Sequence, residues 1–188
     1  MGDGRRVRYM SFRPTTLDTI IGQDSTRHCL KILAESALHR DDAMTHCMFL
    51  GEPGMGKTTL AGAVANAMNT KMIICNGGTM QRPKDIIKYV FAMQKGHVLF
   101  IDEIHRVAPP VQEFLFPVLE DFRIDLAKKG ALSKKLPKFT VVAATTETGR
   151  LLKPLLDRFQ NRFILEPYSE EDLTKIAHSN LAKLKLSI

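Results

Sequence analysis

The sequence predicts an α/β fold, a three-layer sandwich in which helices cover both faces of a mostly parallel five-stranded sheet. From residue 15 onward, apolar runs of strand length alternate with segments of helical periodicity, and this alternation is typical of parallel sheets. The length of 188 residues suffices for one domain and scarcely for two. A content of 44% apolar and 25% charged residues is ordinary for a globular protein and excludes disorder as the whole answer.

Five short apolar runs are predicted as strands, because each is bounded by turn or helix signals. These runs are 47–50, 72–75, 97–101, 139–144 and 162–165. In a parallel sheet, ligands bind outside the carboxyl ends of the strands. The residues that follow these runs are therefore the first place to look for a functional site.

Helical periodicity fills most of the segments between the strands. Helices are predicted at 23–40, 58–68, 84–94, from 109 through 119 and from 169 onward. In the first helix Leu38 is expected on the apolar face, and in the last a capping box of Ser169 and Asp172 is expected at the start. The residues expected to face inward from the last helix are Leu173, Ile176, Ala177, Leu181 and Leu184. The Lys-rich segment 127–138 is predicted as a loop or a hairpin.

Composition says more about the cellular compartment of the protein than about its activity. Residues 1–11 are predicted as a flexible basic arm, and no apolar run approaches the roughly 20 residues of a membrane span. The three cysteines form no CxxC pair, which favours a reducing, cytoplasmic location over a disulfide framework. The net charge of +7 fits a polyanionic partner, but an acidic substrate or simple solubility fits as well.

A phosphate-binding motif follows the first predicted strand. Residues 51–58 read Gly-Glu-Pro-Gly-Met-Gly-Lys-Thr and match the pattern GxxxxGK[ST]. The glycines allow a tight turn in which several N–H groups point at one phosphate, and the next helix adds its positive dipole end. In such a loop Lys57 reaches the β- and γ-phosphates, and the hydroxyl of Thr58 coordinates Mg²⁺. The motif therefore predicts a binding site for ATP and Mg²⁺.

Two further strands end in polar residues that suit nucleotide hydrolysis. Asp102 and Glu103 follow an apolar strand, where Asp102 is placed to hold Mg²⁺ and Glu103 to orient the attacking water. Thr146, or alternatively Thr145, ends another strand and is placed to bond the γ-phosphate or the water. His105 is expected to orient this site rather than to bind a metal.

The remaining candidates have more than one interpretation. Arg158 is either a salt-bridged surface residue or an arginine finger that stabilises transition-state charge at a neighbouring subunit's nucleotide. Arg162 is a second candidate for that role. The pairs His28–Cys29 and His46–Cys47 match no common zinc spacing, so packing is favoured for them.

The full set of motifs resembles the ATPase domain of AAA+ proteins and, among these, the RuvB family of Holliday-junction branch-migration motors. The similarity extends from residue 12 to about residue 180. It is carried by the segments 12–18, 21–23, 51–61, 98–106, 117–122, 137–149 and 154–159. Any one of these motifs alone would indicate only a P-loop ATPase.

The resemblance implies a hexameric ring that hydrolyses ATP between subunits and pulls duplex or junction DNA in recombination and repair, with a RuvA-like junction-binding partner. Residues 12–168 would form the nucleotide-binding domain, and 169–188 would begin a helical lid domain. The implied catalytic residues are Lys57, Asp102, Glu103, the sensor Thr146 and the trans-acting finger Arg158. The implied nucleotide contacts are Phe12 and Arg13 on the adenine side, then Gly51, Pro53, Gly54, Met55, Gly56, Lys57, Thr58, Thr59, Glu120, Asp121, Phe122 and Tyr168.

Two other functions remain open at this point. A clamp-loader-like AAA+ ATPase would open a protein ring instead of moving DNA, and a nucleotide-binding scaffold would bind ATP with little turnover. Stimulation of ATP hydrolysis by forked compared with linear DNA separates the first from a junction motor. Hydrolysis that depends on Lys57 separates the second from any enzyme.

Overall fold

The structure, a computed structural model, describes residues 13–125 and 133–184 of the chain. The predicted α/β sandwich is confirmed: five parallel strands form one sheet in the order β2-β3-β6-β1-β7. Numbered along the chain, its strands are β1 (Cys47–Leu50), β2 (Met72–Asn76), β3 (Val98–Asp102), β6 (Thr140–Thr145) and β7 (Asn161–Ile164). The Lys-rich segment forms part of a separate antiparallel hairpin of β4 (Arg123–Asp125) and β5 (Ser133–Lys135), whose intervening residues lie outside the described ranges.

Six helices are present in the described part of the chain. They are α1 (Asp24–His39), α2 (Lys57–Ala67), α3 (Pro83–Phe91), α4 (Pro109–Glu120), α5 (Lys153–Asp157) and α6 (Glu170–Leu184). Each agrees with its predicted position within a few residues, apart from the short α5. No helix among residues 13–125 and 133–184 is long and apolar enough to span a lipid bilayer.

The three central strands, β1, β3 and β6, are buried on both faces, which explains why they are apolar runs and not alternating ones. The edge strands are partly exposed, at Ile74 on β2 and at Ile164 on β7. Along β3, Leu99 and Ile101 enter a core beneath α3 and α4, whereas Val98 and Phe100 enter a second core beneath α1 and α2. The two cores fix the sheet between the helical layers. They therefore also fix the two edges at which the strands begin and end.

Two expectations about buried faces are wrong. Leu38 is 43% exposed and Leu173 is 53% exposed, and Ala177 is also exposed. The start of α6 is as predicted, since the backbone N–H of Asp172 donates to Oγ of Ser169 over 3.1 Å. Among the described residues, however, none of those in α6 joins either core. An apolar stripe becomes buried only where another element covers it, and periodicity alone cannot show whether one does.

Candidate functional site

The P-loop connects β1 to α2 at the carboxyl edge of the sheet, as predicted. Gly56 has a φ of +81° and precedes the first residue of α2, Lys57. The ammonium of Lys57 donates to the carbonyl oxygens of Gly51 over 2.6 Å and of Glu52 over 2.9 Å. The side chain is therefore drawn into the loop, with its charge beside the free N–H groups of the helix N-terminus.

The order of the strands brings the predicted hydrolytic residues to the same edge. β6 lies between β1 and β3, and the N–H of Gly51 donates to the carbonyl oxygen of Thr145 at the end of β6 over 3.2 Å. Asp102 ends β3, and Glu103 follows it in a left-handed conformation with a φ of +54°. The carboxyl ends of three adjacent strands therefore carry the P-loop, Thr145 with Thr146, and the two acids.

The polar side chains at this edge fit a magnesium ion that is bound partly by the nucleotide. Asp102 and Thr58 are both half-buried residues at this edge of the sheet. Mg²⁺ is usually bound by one or two protein oxygens together with water and phosphate. One carboxylate and one hydroxyl beside a phosphate-binding loop match that donor set.

A cavity of about 240 Å³ adjoins the P-loop on the side of the amino-terminal segment and α6. It is lined by Arg13, Pro14, Thr19, Ile20, Ile21, Gly54, Gly56, Thr59, Tyr168, Ile176, Ser179, Asn180 and Lys183. Five of the predicted nucleotide-contacting residues therefore meet here: Arg13, Gly54, Gly56, Thr59 and Tyr168. Phe12, predicted beside Arg13, lies outside the described residues.

Tyr168 lines this cavity together with the P-loop residues Gly54 and Gly56. A Cβ placed on Gly56 would lie 2.7 Å from the Tyr168 hydroxyl, and one on Gly22 would lie 3.0 Å from its ring. Burial, with a smaller contribution from Asp172, raises the pKa of Tyr168, so its hydroxyl stays neutral. The ring offers an apolar surface to a base, while its hydroxyl lies against the loop.

Sequence reasoning missed how Tyr168 is held in place. The side-chain amide of Gln23 donates to the carbonyl oxygen of Glu166 over 2.6 Å and accepts from the N–H of Glu166 over 3.2 Å. These two bonds join the start of α1 to the segment that leads to Tyr168. The pair is 143 residues apart in sequence, so no local pattern signals it.

Four other predicted residues lie at the opposite edge of the sheet. Arg158 precedes β7, whose first residue pairs with the first residue of β1, and it forms an ion pair with Glu120 at the end of α4. Asp121 pairs with Arg123 over 3.2 Å, and Phe122 packs edge-on against the ring of Phe139. This is the amino edge, where β1 begins, whereas the P-loop follows the end of β1. The structure does not bring Glu120, Asp121, Phe122 or Arg158 to the P-loop of their own chain. Their predicted contacts with a nucleotide stay predictions that require a second subunit.

Of the two His–Cys pairs, His46–Cys47 is packed inside the protein as expected, whereas His28 and Cys29 are both exposed on α1. Cys29 is exposed and Cys47 is buried. His46 is buried, with Nε2 bonded to the carbonyl oxygen of Leu119 and Nδ1 accepting from the N–H of Val141, each over 3.0 Å. The residues that the structure describes contain no group of three or more His, Cys, Asp or Glu side chains that could hold a metal ion.

Comparison with known proteins shows which family this chain resembles. The family model described as the Holliday junction DNA helicase RuvB P-loop domain matches residues 12–165. The RuvB subunit of the Holliday junction branch migration complex of Prochlorococcus marinus is 39% identical over 181 residues, covering 93% of this chain and 51% of that protein. The RuvB of Staphylococcus haemolyticus is 42% identical over 172 residues, covering 89% and 52% respectively.

A solved structure shows the same fold. The RuvB Holliday junction branch migration motor of Thermotoga maritima matches with a TM-score of 0.83 and 34% identity, covering 93% of this chain and 55% of that one. The chain thus spans about half the length of the curated relatives and of the solved structure that it matches.

Proposed function

Because this chain belongs to the RuvB family and contains its P-loop domain, we propose that it binds ATP with Mg²⁺ and hydrolyses ATP as one subunit of a DNA-translocating ring. The observation that carries this proposal is the convergence of the P-loop, Asp102, Glu103 and Thr146 on three adjacent strand ends at the carboxyl edge. A site for binding alone would not need a second acid beside Asp102.

The proposed reaction is in-line attack of water on the γ-phosphate. The loop N–H groups and Lys57 hold the β- and γ-phosphates and offset their negative charge. Glu103 orients the attacking water, and Thr146 bonds to the γ-phosphate or to that water. Thr58 and Asp102 would hold Mg²⁺, which when bound neutralises charge on the phosphate oxygens.

The charge of the transition state would be completed by a neighbouring subunit. Arg158 lies at the amino edge, away from the P-loop of its own chain, so it can serve only a nucleotide held by another copy. We infer a ring, with six subunits as the family resemblance implies, in which the amino edge of one copy meets the carboxyl edge of the next. Hydrolysis would then drive motion between subunits.

The proposed substrate of that motion is junction DNA, with a RuvA-like protein as partner. The net charge of +7 favours association with phosphate backbones. The described hairpin strands carry Arg123, Lys134 and Lys135 as exposed cations. This hairpin is either the docking site for the partner or a direct contact with DNA phosphates.

ATP turnover by mixed variants tests the proposal. Lys57→Ala is expected to abolish hydrolysis because the phosphates lose their cation. Arg158→Ala is expected to bind ATP normally and to lose turnover, since a finger contributes on the order of a thousandfold or more in rate. Mixing the two variants should restore part of the activity, because Lys57→Ala subunits still supply Arg158 to their neighbours.

Arg162→Ala is the matched comparison. Arg162 bonds to the carbonyl oxygens of Leu156 and Phe159 within its own chain, so mixing should not rescue any loss that it shows. Absence of ATP turnover by the wild-type chain would contradict the proposal that the chain is an ATP hydrolase. Turnover that forked DNA stimulates no more than linear DNA would contradict the junction substrate and favour a clamp-loader-like role.

A further inference from the structure

His105, which is expected from the sequence to orient the site, joins Glu103 to the end of β6. The imidazole is buried in the short turn after β3. Its Nδ1 lies 2.9 Å from the hydroxyl of Thr145, and its Nε2 lies 3.4 Å from the carboxylate of Glu103. The ring of His105 therefore contacts Glu103, the residue expected to orient the attacking water. It also contacts β6, the strand that lies between β3 and β1, which leads into the P-loop.

The hydrogen bonds of Thr145 show that Nδ1 of His105 donates. The Thr145 hydroxyl donates its one hydrogen to the carbonyl oxygen of Glu147 over 2.7 Å, and it accepts from the N–H of Glu147 over 3.0 Å. A hydroxyl has one donor and two acceptor positions. The remaining acceptor position faces His105, so Nδ1 carries a proton and donates it to Thr145. This bond fixes the plane of the ring and aims Nε2 at Glu103. A carboxylate only accepts, so Nε2 must also carry a proton to bond it, and the ring then donates from both nitrogens as an imidazolium.

Thr145 in turn is fixed to the P-loop. It is fully buried, it lies opposite Leu50 in the parallel pairing of β6 with β1, and its carbonyl oxygen accepts from the N–H of Gly51. Two hydrogen bonds, from Gly51 to Thr145 and from His105 to Thr145, together with the 3.4 Å contact between His105 and Glu103, therefore connect the P-loop to Glu103. The backbone at Glu103 is itself strained by its positive φ.

We propose that His105 is a positioning residue that holds the Glu103 carboxylate in register with the P-loop through its bond to Thr145. The proposal rests on the proposed function, because it assigns a role relative to Glu103 as the group that orients water. A reacting group displaced by about 1 Å can lose roughly a hundredfold in rate. The bond to Thr145 supplies the alignment that prevents such a displacement.

Two isosteric variants separate the two ends of the ring. Asn places its amide nitrogen near the position of Nδ1, so His105→Asn keeps the bond to Thr145 and loses the reach to Glu103. Gln is one bond longer, so His105→Gln keeps a donor near the position of Nε2. We expect His105→Asn to lower kcat for ATP by roughly tenfold to a hundredfold, with the Kd for ATP unchanged. His105→Gln should retain more of kcat than His105→Asn.

Several outcomes would overturn the proposal. They are an unchanged kcat in His105→Asn, an equal loss of ATP binding and kcat, or no recovery in His105→Gln. If the wild-type chain itself does not hydrolyse ATP, the proposed function fails. A measurement that needs neither turnover nor a folded variant then decides the arrangement of His105.

That measurement is the protonation of the imidazole nitrogens in the ¹⁵N-labelled wild-type chain by long-range ¹H–¹⁵N NMR. His105 should show protons on both ring nitrogens, with Nδ1 hydrogen-bonded to Thr145 and Nε2 facing Glu103. His46 serves as the internal reference, because its Nδ1 accepts from Val141 and should be unprotonated. An unprotonated Nδ1 in His105 would overturn the proposal whatever the kinetics show.

Discussion

The two edges of the sheet use buried histidines in opposite ways. At the carboxyl edge, His105 links Thr145 to a half-exposed carboxylate that faces the place where a nucleotide would bind. At the amino edge, His46 bonds to two backbone groups, on α4 and β6, and its ring packs near Phe122. Under the proposed function, polar groups at the carboxyl edge serve a ligand, whereas at the amino edge they mostly satisfy one another.

Arg158 is the exception at the amino edge. Its guanidinium pairs with Glu120 and lies over the ring of Phe116, at 6.0 Å from the ring centre. Its Nε is buried and has no hydrogen-bond partner among the described residues. A buried donor without a partner costs free energy, so the side chain is held in a position that its own chain does not fully satisfy. The comparison therefore predicts stability effects from His46 and functional effects from the residues around the P-loop.

The largest expected effect on stability concerns His46. Burial lowers the pKa of His46 from 6.5 to about 4 in the folded chain, whereas in the unfolded chain it keeps its ordinary value. Between these two values the unfolded state binds more protons. The contribution of neutral His46 to the free energy of unfolding should therefore be fully present above pH 6.5. It should decrease as the pH drops towards about 4. The total loss is about 3 kcal/mol, at 1.36 kcal/mol for each pKa unit.

Chemical denaturation at a series of pH values measures this loss. His46→Gln is the control, since glutamine keeps a donor for Leu119 but does not titrate. Subtracting its pH dependence removes the contribution of the carboxylates, which also titrate below pH 5. If the free energy of unfolding changes equally with pH in wild type and in His46→Gln between pH 6.5 and 4, His46 does not stay neutral in the folded chain.

The next largest effect concerns Gly56 at the carboxyl edge. An alanine there would have to adopt a φ of +81° and place its Cβ 2.7 Å from the Tyr168 hydroxyl. The left-handed backbone alone costs about 1–2 kcal/mol, and ATP affinity should fall by about tenfold because the loop and Tyr168 cannot both keep their places. Titration with a fluorescent ATP analogue measures the affinity.

Gly96→Ala is the matched control for this change. Gly96 has a φ of +78°, but a Cβ there would meet no atom within 4 Å, and the residue lies just before β3, at the amino edge of the sheet. It should lower the free energy of unfolding by a similar amount and leave ATP affinity unchanged. Equal losses of affinity in the two variants would mean that strain, and not the contact with Tyr168, controls binding.

The sequence was a better guide to the carboxyl edge than to the amino edge, and the reason is physical. A P-loop and a strand that ends in two acids are local patterns, and a parallel sheet necessarily brings its strand ends together. The contacts of His46 with Leu119 and Val141 span 73 and 95 residues, and those of His105 with Thr145 span 40. Such contacts follow from packing, which local periodicity does not encode.

The same limit explains the errors in α1 and α6. Leu38 and Leu173 fit an apolar stripe, yet each lies at a place where no other described element covers it. Periodicity identifies the stripe but not its partner. The correct strand positions and the incorrect helix faces therefore have one cause: the central strands β1, β3 and β6 are covered on both sides, whereas a helix is covered only where its neighbours reach.

The smallest expected effect comes from Gln23. Its replacement tests whether the position of Tyr168 depends on the distant contact between Gln23 and Glu166. Gln23→Ala removes two hydrogen bonds to the backbone of Glu166, and the segment that carries Tyr168 should loosen. Because partly exposed hydrogen bonds contribute little net free energy, ATP affinity should fall by about 1 kcal/mol, without a change in kcat.

Gln81→Ala is the control, since Gln81 also bonds to a backbone carbonyl, that of Gly78, in the turn that follows β2. Calorimetric titration with ATP should show weaker binding in Gln23→Ala and wild-type binding in Gln81→Ala. If both variants bind ATP as the wild type does, Tyr168 keeps its position through its contacts with Gly22 and Gly56 alone. The ATP-binding site would then not depend on the distant contact between Gln23 and Glu166.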